Sequence, residues 1–294
     1  MVDQPGGSTW LINPAPAAGG TVRRVSSSAR RWLAPPNPPE PARLAERTER
    51  WAVRVEIAVV LAVTLGLSAL RSLVQLAQAL AQPQPLNAQS TALNAPQARI
   101  GLLDLLAQLT GVLQLVAWAV LGAYLLWRSG IAPRRVGLDR TRPGRDLAAG
   151  AGLAALIGIP GLGFYLAAHA LGLSVTVQPS TLDDTWWRAP VLVLSAFGNA
   201  AAAEVLVVAY LLTRARQLGW SENRALWASA ALRGAYHLYQ GFGGFVGNLV
   251  MGLVYGRVWQ RTNRPWALVV GHGVIDVVAF VGYSLLRGHV SWLP

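Results

Sequence analysis

A chain of 294 residues that is 53% hydrophobic and only 13% charged, with a mean hydropathy of +0.38, is too apolar for an ordinary soluble domain and reads as a polytopic, all-α membrane bundle. Its net charge of +12 comes from arginine alone. Because those arginines lie between apolar stretches rather than along one face, the expected partner is a lipid bilayer and not nucleic acid. The absence of cysteine excludes disulfides and thiolate metal sites, so any metal would rest on histidine and carboxylate.

Residues 1–50 are rich in Pro, Ala, Ser and Arg, with Pro35-Pro36-Asn37-Pro38-Pro39 as the clearest case, and read as a disordered basic arm. Seven apolar stretches follow, at 55–80, 101–127, 147–172, 189–212, 225–241, 244–258 and 266–287. Most reach the ~20 residues that a bilayer-spanning helix needs, while the fifth and sixth are short and meet at Gly241-Phe242-Gly243-Gly244. Residues 51–188 thus hold three spans and 189–294 the remainder. Arginines crowd the N-terminal arm and the connections 128–145, 213–224 and 257–264, whereas 81–100 and 173–188 are poor in them. That alternation puts the N-terminus in the cytoplasm. Gly244, Asn248, Gly252 and Gly256 recur every four residues and predict a smooth ridge for helix packing.

The stretch from Asn199 to Asp276 holds Glu204, Arg233, His237, His272 and Asp276 inside strongly apolar segments. An ionisable group there costs several kcal/mol unless it has a partner or a task. His237 follows Arg233 by one helical turn and Asp276 follows His272 by one turn, so each pair shares a helix face. At about 1.5 Å rise per residue, Glu204, Arg233, His237 and His272 fall in one layer nearer the arginine-rich side. Glu204 and Arg233 at matching depth predict an ion pair. The same groups suit a divalent metal such as zinc, with His237, His272 and Glu204 as ligand candidates, or a water activated by Glu and His together. A histidine between membrane helices can also simply bridge them. Asn199 and Asn248 read as helix-packing amides or as lining of the same pocket.

Ala203-Glu204-Val205-Leu206-Val207-Val208-Ala209-Tyr210-Leu211-Leu212, then Tyr236-His237, then His272-Gly273-Val274-Ile275-Asp276, resemble the three motifs of the CAAX-protease and bacteriocin-processing family of intramembrane proteases, in an actinobacterial form. The resemblance covers roughly residues 189–287. It implies an endopeptidase in a bacterial plasma membrane that cuts a peptide or membrane-protein substrate near the cytoplasmic side. Glu204, His237, His272 and Asp276 would be its catalytic residues, Arg233, Asn199 and Asn248 their support. The first motif is incomplete. Ala203 stands where the family has the glutamate held to activate water, Val208 where it has arginine, and Arg233 where it has phenylalanine. Two further readings stay open: a non-proteolytic scaffold or immunity-type protein, and a small ion or proton-coupled transporter, for intramembrane Glu, Arg and His also mark ion pathways.

Overall fold

The computed structural model describes Trp32 and residues 43–286. The basic arm up to residue 42, His289 and the C-terminal Pro294 lie outside the described residues.

The first apolar stretch forms two helices, α1 (Arg47–Val63) and α2 (Leu65–Leu80), bent by 50° at Thr64. Thr64 is buried, and its Oγ1 donates to the Val60 carbonyl one turn back at 2.6 Å. Such back-bonding by threonine bends helices. Then come β1 (Ser90–Ala92), α3 (Gly101–Arg128), α4 (Pro143–Ala170), which stays helical through Pro160, and β2 (Thr176–Gln178). α5 (Arg188–Ala202) continues through a π-helix (Ala203–Tyr210) into α6 (Leu211–Gln217), forming one 30-residue rod. α7 (Glu222–Ala235), α8 (Phe242–Thr262) and α9 (Pro265–Leu286) complete the bundle. Ser221 caps α7 by accepting from the Arg224 amide, as serine at that position does.

All seven predicted stretches are helical over most of their length. Among the described residues four single helices are long and apolar enough to cross a membrane, α3, α4, the α5–π–α6 rod and α9, and counting the bent α1–α2 pair as one span makes five. α7 stops at Ala235, and a single helical turn, Leu238–Gln240, leads to Gly241. Gly241 has φ +94, and a Cβ there would meet the Leu173 carbonyl oxygen at 2.6 Å, so both the turn and the close approach require glycine.

The α5–π–α6 rod is the centre of the molecule. Its span is 67% buried, against 17% for α3 and α4, whose outer faces show Leu102, Leu106, Leu113, Leu156 and Ile159. A bilayer is the solvent that suits those faces. α9 packs chiefly on α4 and α5, α3 on α5 and the π-helix, and α7 on α8. The predicted ridge on α8 faces α7, Gly252 against Ala230 and Gly256 against Leu226. β1 and β2 pair in parallel, Ser90 with Thr176, and so tie the two arginine-poor connections together at one end.

Of the arginines in the connections 213–224 and 257–264, Arg214 and Arg216 are buried and paired and Arg264 is half-buried and paired. Arg214 forks onto Glu56 of α1, with Nε to Oε1 at 2.8 Å and Nη2 to Oε2 at 3.0 Å, and also donates to Ser129 and Gln217. Arg216 forks onto Glu222 at 2.7 and 2.8 Å. Arg264 binds Asp146 of α4 through both ends of its fork and Asp139 at 2.8 Å. A paired arginine contributes little net positive charge, so the charge asymmetry between the two ends is weaker than the raw count.

Glu56→Ala should leave the Arg214 guanidinium buried without a carboxylate and cost about 3–5 kcal/mol; thermal unfolding in detergent reads this directly. Hydrogen bonds from Thr141 and then Arg264 hold the Asp139 carboxyl well below the usual carboxylate range. Its stabilising contribution is therefore complete above about pH 4, the unfolded value, and is lost as pH falls below it. Between pH 5 and pH 2 the unfolding temperature should drop further for the native chain than for Asp139→Asn.

Candidate functional site

Glu204 lies on the first turn of the π-helix, near the middle of the buried rod. A π-helix closes i→i+5 bonds, winds wider than an α-helix, and occurs often at functional sites. From α7, Ser229 Oγ donates to the Val207 carbonyl inside this segment at 2.7 Å. Thr213 donates to Ala209 at 2.6 Å just past its end.

Glu204 and Arg233 are fully buried, at 0% exposure, and His272 is 4% exposed. Glu204 Oε1 accepts from Arg233 Nη2 at 2.5 Å and from His272 Nδ1 at 2.8 Å. The ring's other nitrogen, Nε2, points at Asp276 Oδ2, 3.6 Å away. Asn199 Nδ2 donates to that same Oδ2 at 2.8 Å. One polar series thus runs from Arg233 on α7, through Glu204 on the π-helix and His272 and Asp276 on α9, to Asn199 on α5.

His237 sits just past the end of α7 and is half-buried. Its Nδ1 lies 2.9 Å from the Arg233 carbonyl oxygen. A carbonyl only accepts, so Nδ1 carries the hydrogen and Nε2 is left as the nitrogen with a lone pair in the neutral ring. The Tyr236 ring packs beside it, centroids 4.6 Å apart. Asn248 stays apart from this series, its amide donating to Gly244 of its own helix at 3.0 Å. Ala203 is buried beside Glu204 and supplies no polar atom.

Room for Arg233 comes from α8. A Cβ at Gly252 would lie 2.8 Å from the Ala230 Cα and 3.2 Å from the Arg233 Cδ. The Arg233 guanidinium carbon rests 5.8 Å from the Tyr255 ring centroid, within cation–π range. Buried polar atoms without a protein partner gather here: Glu204 Oε2, Arg233 Nε and Nη1, and the Tyr236 and Tyr255 hydroxyls. In an apolar bundle such groups call for water or a polar ligand. Tyr236 entered the sequence reading only as the neighbour of His237, and Tyr255 did not enter it; the available signal for Tyr255 was its adjacency to Gly256 of the glycine ridge.

The donor set does not fit zinc. A catalytic zinc takes three protein ligands, and among the described residues no group of three His, Cys, Asp or Glu side chains is gathered to hold a metal ion. His272 Nδ1 and Glu204 Oε1 are spent on each other, and the remaining site on Oε1 is taken by Arg233. What the arrangement offers is a held carboxylate, an imidazole nitrogen with a lone pair, and buried cationic donors.

Residues 185–278 match the family described as type II CAAX prenyl endopeptidase, Rce1-like. No curated protein and no solved structure matches the chain. The matched segment begins just before α5 and ends within α9, so it takes in every residue of the polar series.

Removing one member of the central pair should cost more than removing both. Arg233→Met and Glu204→Leu are each expected to destabilise by about 3–5 kcal/mol, because each strands the other's buried charge, whereas the double variant should lose far less than their sum. Unfolding curves of the four proteins give this coupling.

Proposed function

We propose that this integral membrane protein, whose residues 185–278 match the Rce1-like type II CAAX prenyl endopeptidase family, hydrolyses a peptide bond within the bilayer, with His237 as the base for a water held at Glu204. The observation that carries this reading is that three segments remote in sequence meet at one carboxylate oxygen, Glu204 Oε1, with an imidazole one turn on from the arginine that holds it.

Glu204 Oε1 is occupied by two donors, so Oε2 is the oxygen left for a water. His237 Nε2 takes one proton from that water. The resulting hydroxide oxygen bonds to the scissile carbonyl carbon, and the carbonyl π electrons move onto its oxygen. Arg233 Nε and Nη1, buried donors without another partner, supply the positive field for that growing charge. As the C–N bond breaks, His237 returns its proton to the leaving amine. His272 and Asp276 act on this centre by holding Glu204 and Asn199 in place. The substrate class is a peptide segment of a membrane protein, and the proposed setting is a bacterial plasma membrane with the N-terminus on the cytoplasmic side.

One observation favours a second reading, a proteolytically silent scaffold. Position 203 carries alanine, and the carboxylate beside it already serves Arg233 and His272. Digestion of a broad peptide library by the purified protein in lipid separates the two. Cleavage by the native sequence, reduced about 10²- to 10⁴-fold in both Glu204→Gln and His237→Ala, is the expected result. Cleavage that appears only in Ala203→Glu would replace the hydrolytic reading with the scaffold.

A further inference from the structure

Helix α7 ends by tightening. The Tyr236 amide still reaches four residues back, to the Leu232 carbonyl at 3.2 Å, whereas the His237 amide reaches only three, to Gly234 at 3.0 Å. An unbroken α-helix would give the Arg233 carbonyl to the His237 amide. Here that carbonyl is left to the imidazole Nδ1 at 2.9 Å. Were α7 wound on by one residue, the His237 amide would compete with its own ring for this acceptor. The tightened turn is therefore what fixes the tautomer, since the partner of one ring nitrogen decides which nitrogen carries the hydrogen.

A helix end leaves carbonyls without intrahelical partners. At this end the missing donors come from elsewhere in the chain. Ser72 Oγ of α2 donates to the Tyr236 carbonyl at 2.9 Å, and the Val175 amide donates to the Gln240 carbonyl at 3.1 Å. Leu238, between them, packs against Leu76, Leu86 and Val175. A serine inside a helix commonly turns its hydroxyl back to a carbonyl of its own helix, as Ser68 does toward Thr64 at 3.5 Å. Ser72 spends its hydroxyl on the turn instead. It is 3% exposed, while its neighbours Arg71, Leu73, Val74 and Gln75 all face outward. Ser72 and Leu76, one turn apart on one face, thus bring α2 onto the segment that carries His237. Both lie outside residues 185–278, the part that matches the family.

We propose that Ser72 is a positioning residue for His237: by holding the Tyr236 carbonyl it keeps the turn tight, the ring on the Arg233 carbonyl, and Nε2 free of hydrogen. The inference rests on the hydrolytic reading only for what that nitrogen does. Its test reads the tautomer itself, by nitrogen-15 NMR of histidine-labelled protein in phosphatidylcholine–phosphatidylglycerol nanodiscs. The chain has four histidines, and the signal lost in His237→Gln identifies the one in question. Ser72→Ala removes the donor and Ser72→Thr retains it. Ser68→Ala removes a hydroxyl of the same helix that does not reach the turn. Should Ser72→Ala not fold, Ser72→Cys keeps the size, weakens the donor and is read by the same criteria.

The expected result is a single His237 tautomer, with hydrogen on Nδ1, in the native chain, Ser72→Thr and Ser68→Ala, and the appearance of the second tautomer in Ser72→Ala. In peptide cleavage, kcat of Ser72→Ala should fall about ten- to hundredfold with KM unchanged, the signature of a displaced catalytic group. An unchanged single tautomer in Ser72→Ala, or an equal disturbance in Ser68→Ala, overturns the positioning role. If the second tautomer appears but the native chain cleaves no peptide, the positioning role stands and the hydrolytic reading falls. If peptides are cleaved while Ser72→Ala keeps both its tautomer and its kcat, the hydrolytic reading stands and the positioning role falls.

Discussion

The constraint on which the structure turns is a carboxylate and a guanidinium removed entirely from water. Each ion gives up several kcal/mol of effective solvation, and the pair is tolerable only where geometry and further hydrogen bonds return that energy. Glu204 and Arg233 meet the condition through His272 on the same oxygen and the Tyr255 ring near the guanidinium. The consequences spread outward. α8 must be bare at Gly252 to let the arginine by, and α7, α9 and the central rod are held to one another at one depth.

Around that centre a second set of ion pairs joins elements far apart in the chain: Arg214 with Glu56, Arg216 with Glu222, and Arg264 with Asp139 and Asp146. Lipid tails are as apolar as leucine, so burying leucine against leucine gives membrane helices little reason to associate. Polar contacts and close packing have to supply it. The outer pairs are well saturated by hydrogen bonds, whereas the central cluster retains partnerless atoms. That contrast separates the groups that hold the bundle from those with capacity left for chemistry.

Hydropathy made the helices legible, because a span must be apolar along its length. One-turn spacing made the pairs Arg233/His237 and His272/Asp276 legible, and matching depth made the Glu204–Arg233 bridge an expectation. Partner choice was less visible. Arg214 and Arg216 look like loop charges until the rod is known to run to Gln217; the acids that claim them are Glu56, alone at the start of an apolar stretch, for Arg214 and Glu222 for Arg216. The bend at Thr64 and the early end of α7 depend on single hydrogen bonds and tight approaches, which composition does not encode.

The wide winding from Ala203 to Tyr210 has one more consequence. A π stretch needs more residues than an α-helix to sweep the same angle, and over this length the excess comes to about one residue. Counted back from the anchor at Arg214, an evenly wound rod would turn Val205 to the place where Glu204 now stands. The segment therefore acts as a phase shift, and the carboxylate at the heart of the bundle belongs to one phase only. A single-residue deletion between 205 and 209 should not disable the centre, since it would let the rod tighten while keeping Glu204 and Arg214 in their present directions. A substitution that tightened the rod without shortening it would bring a valine to Arg233 and turn the glutamate away.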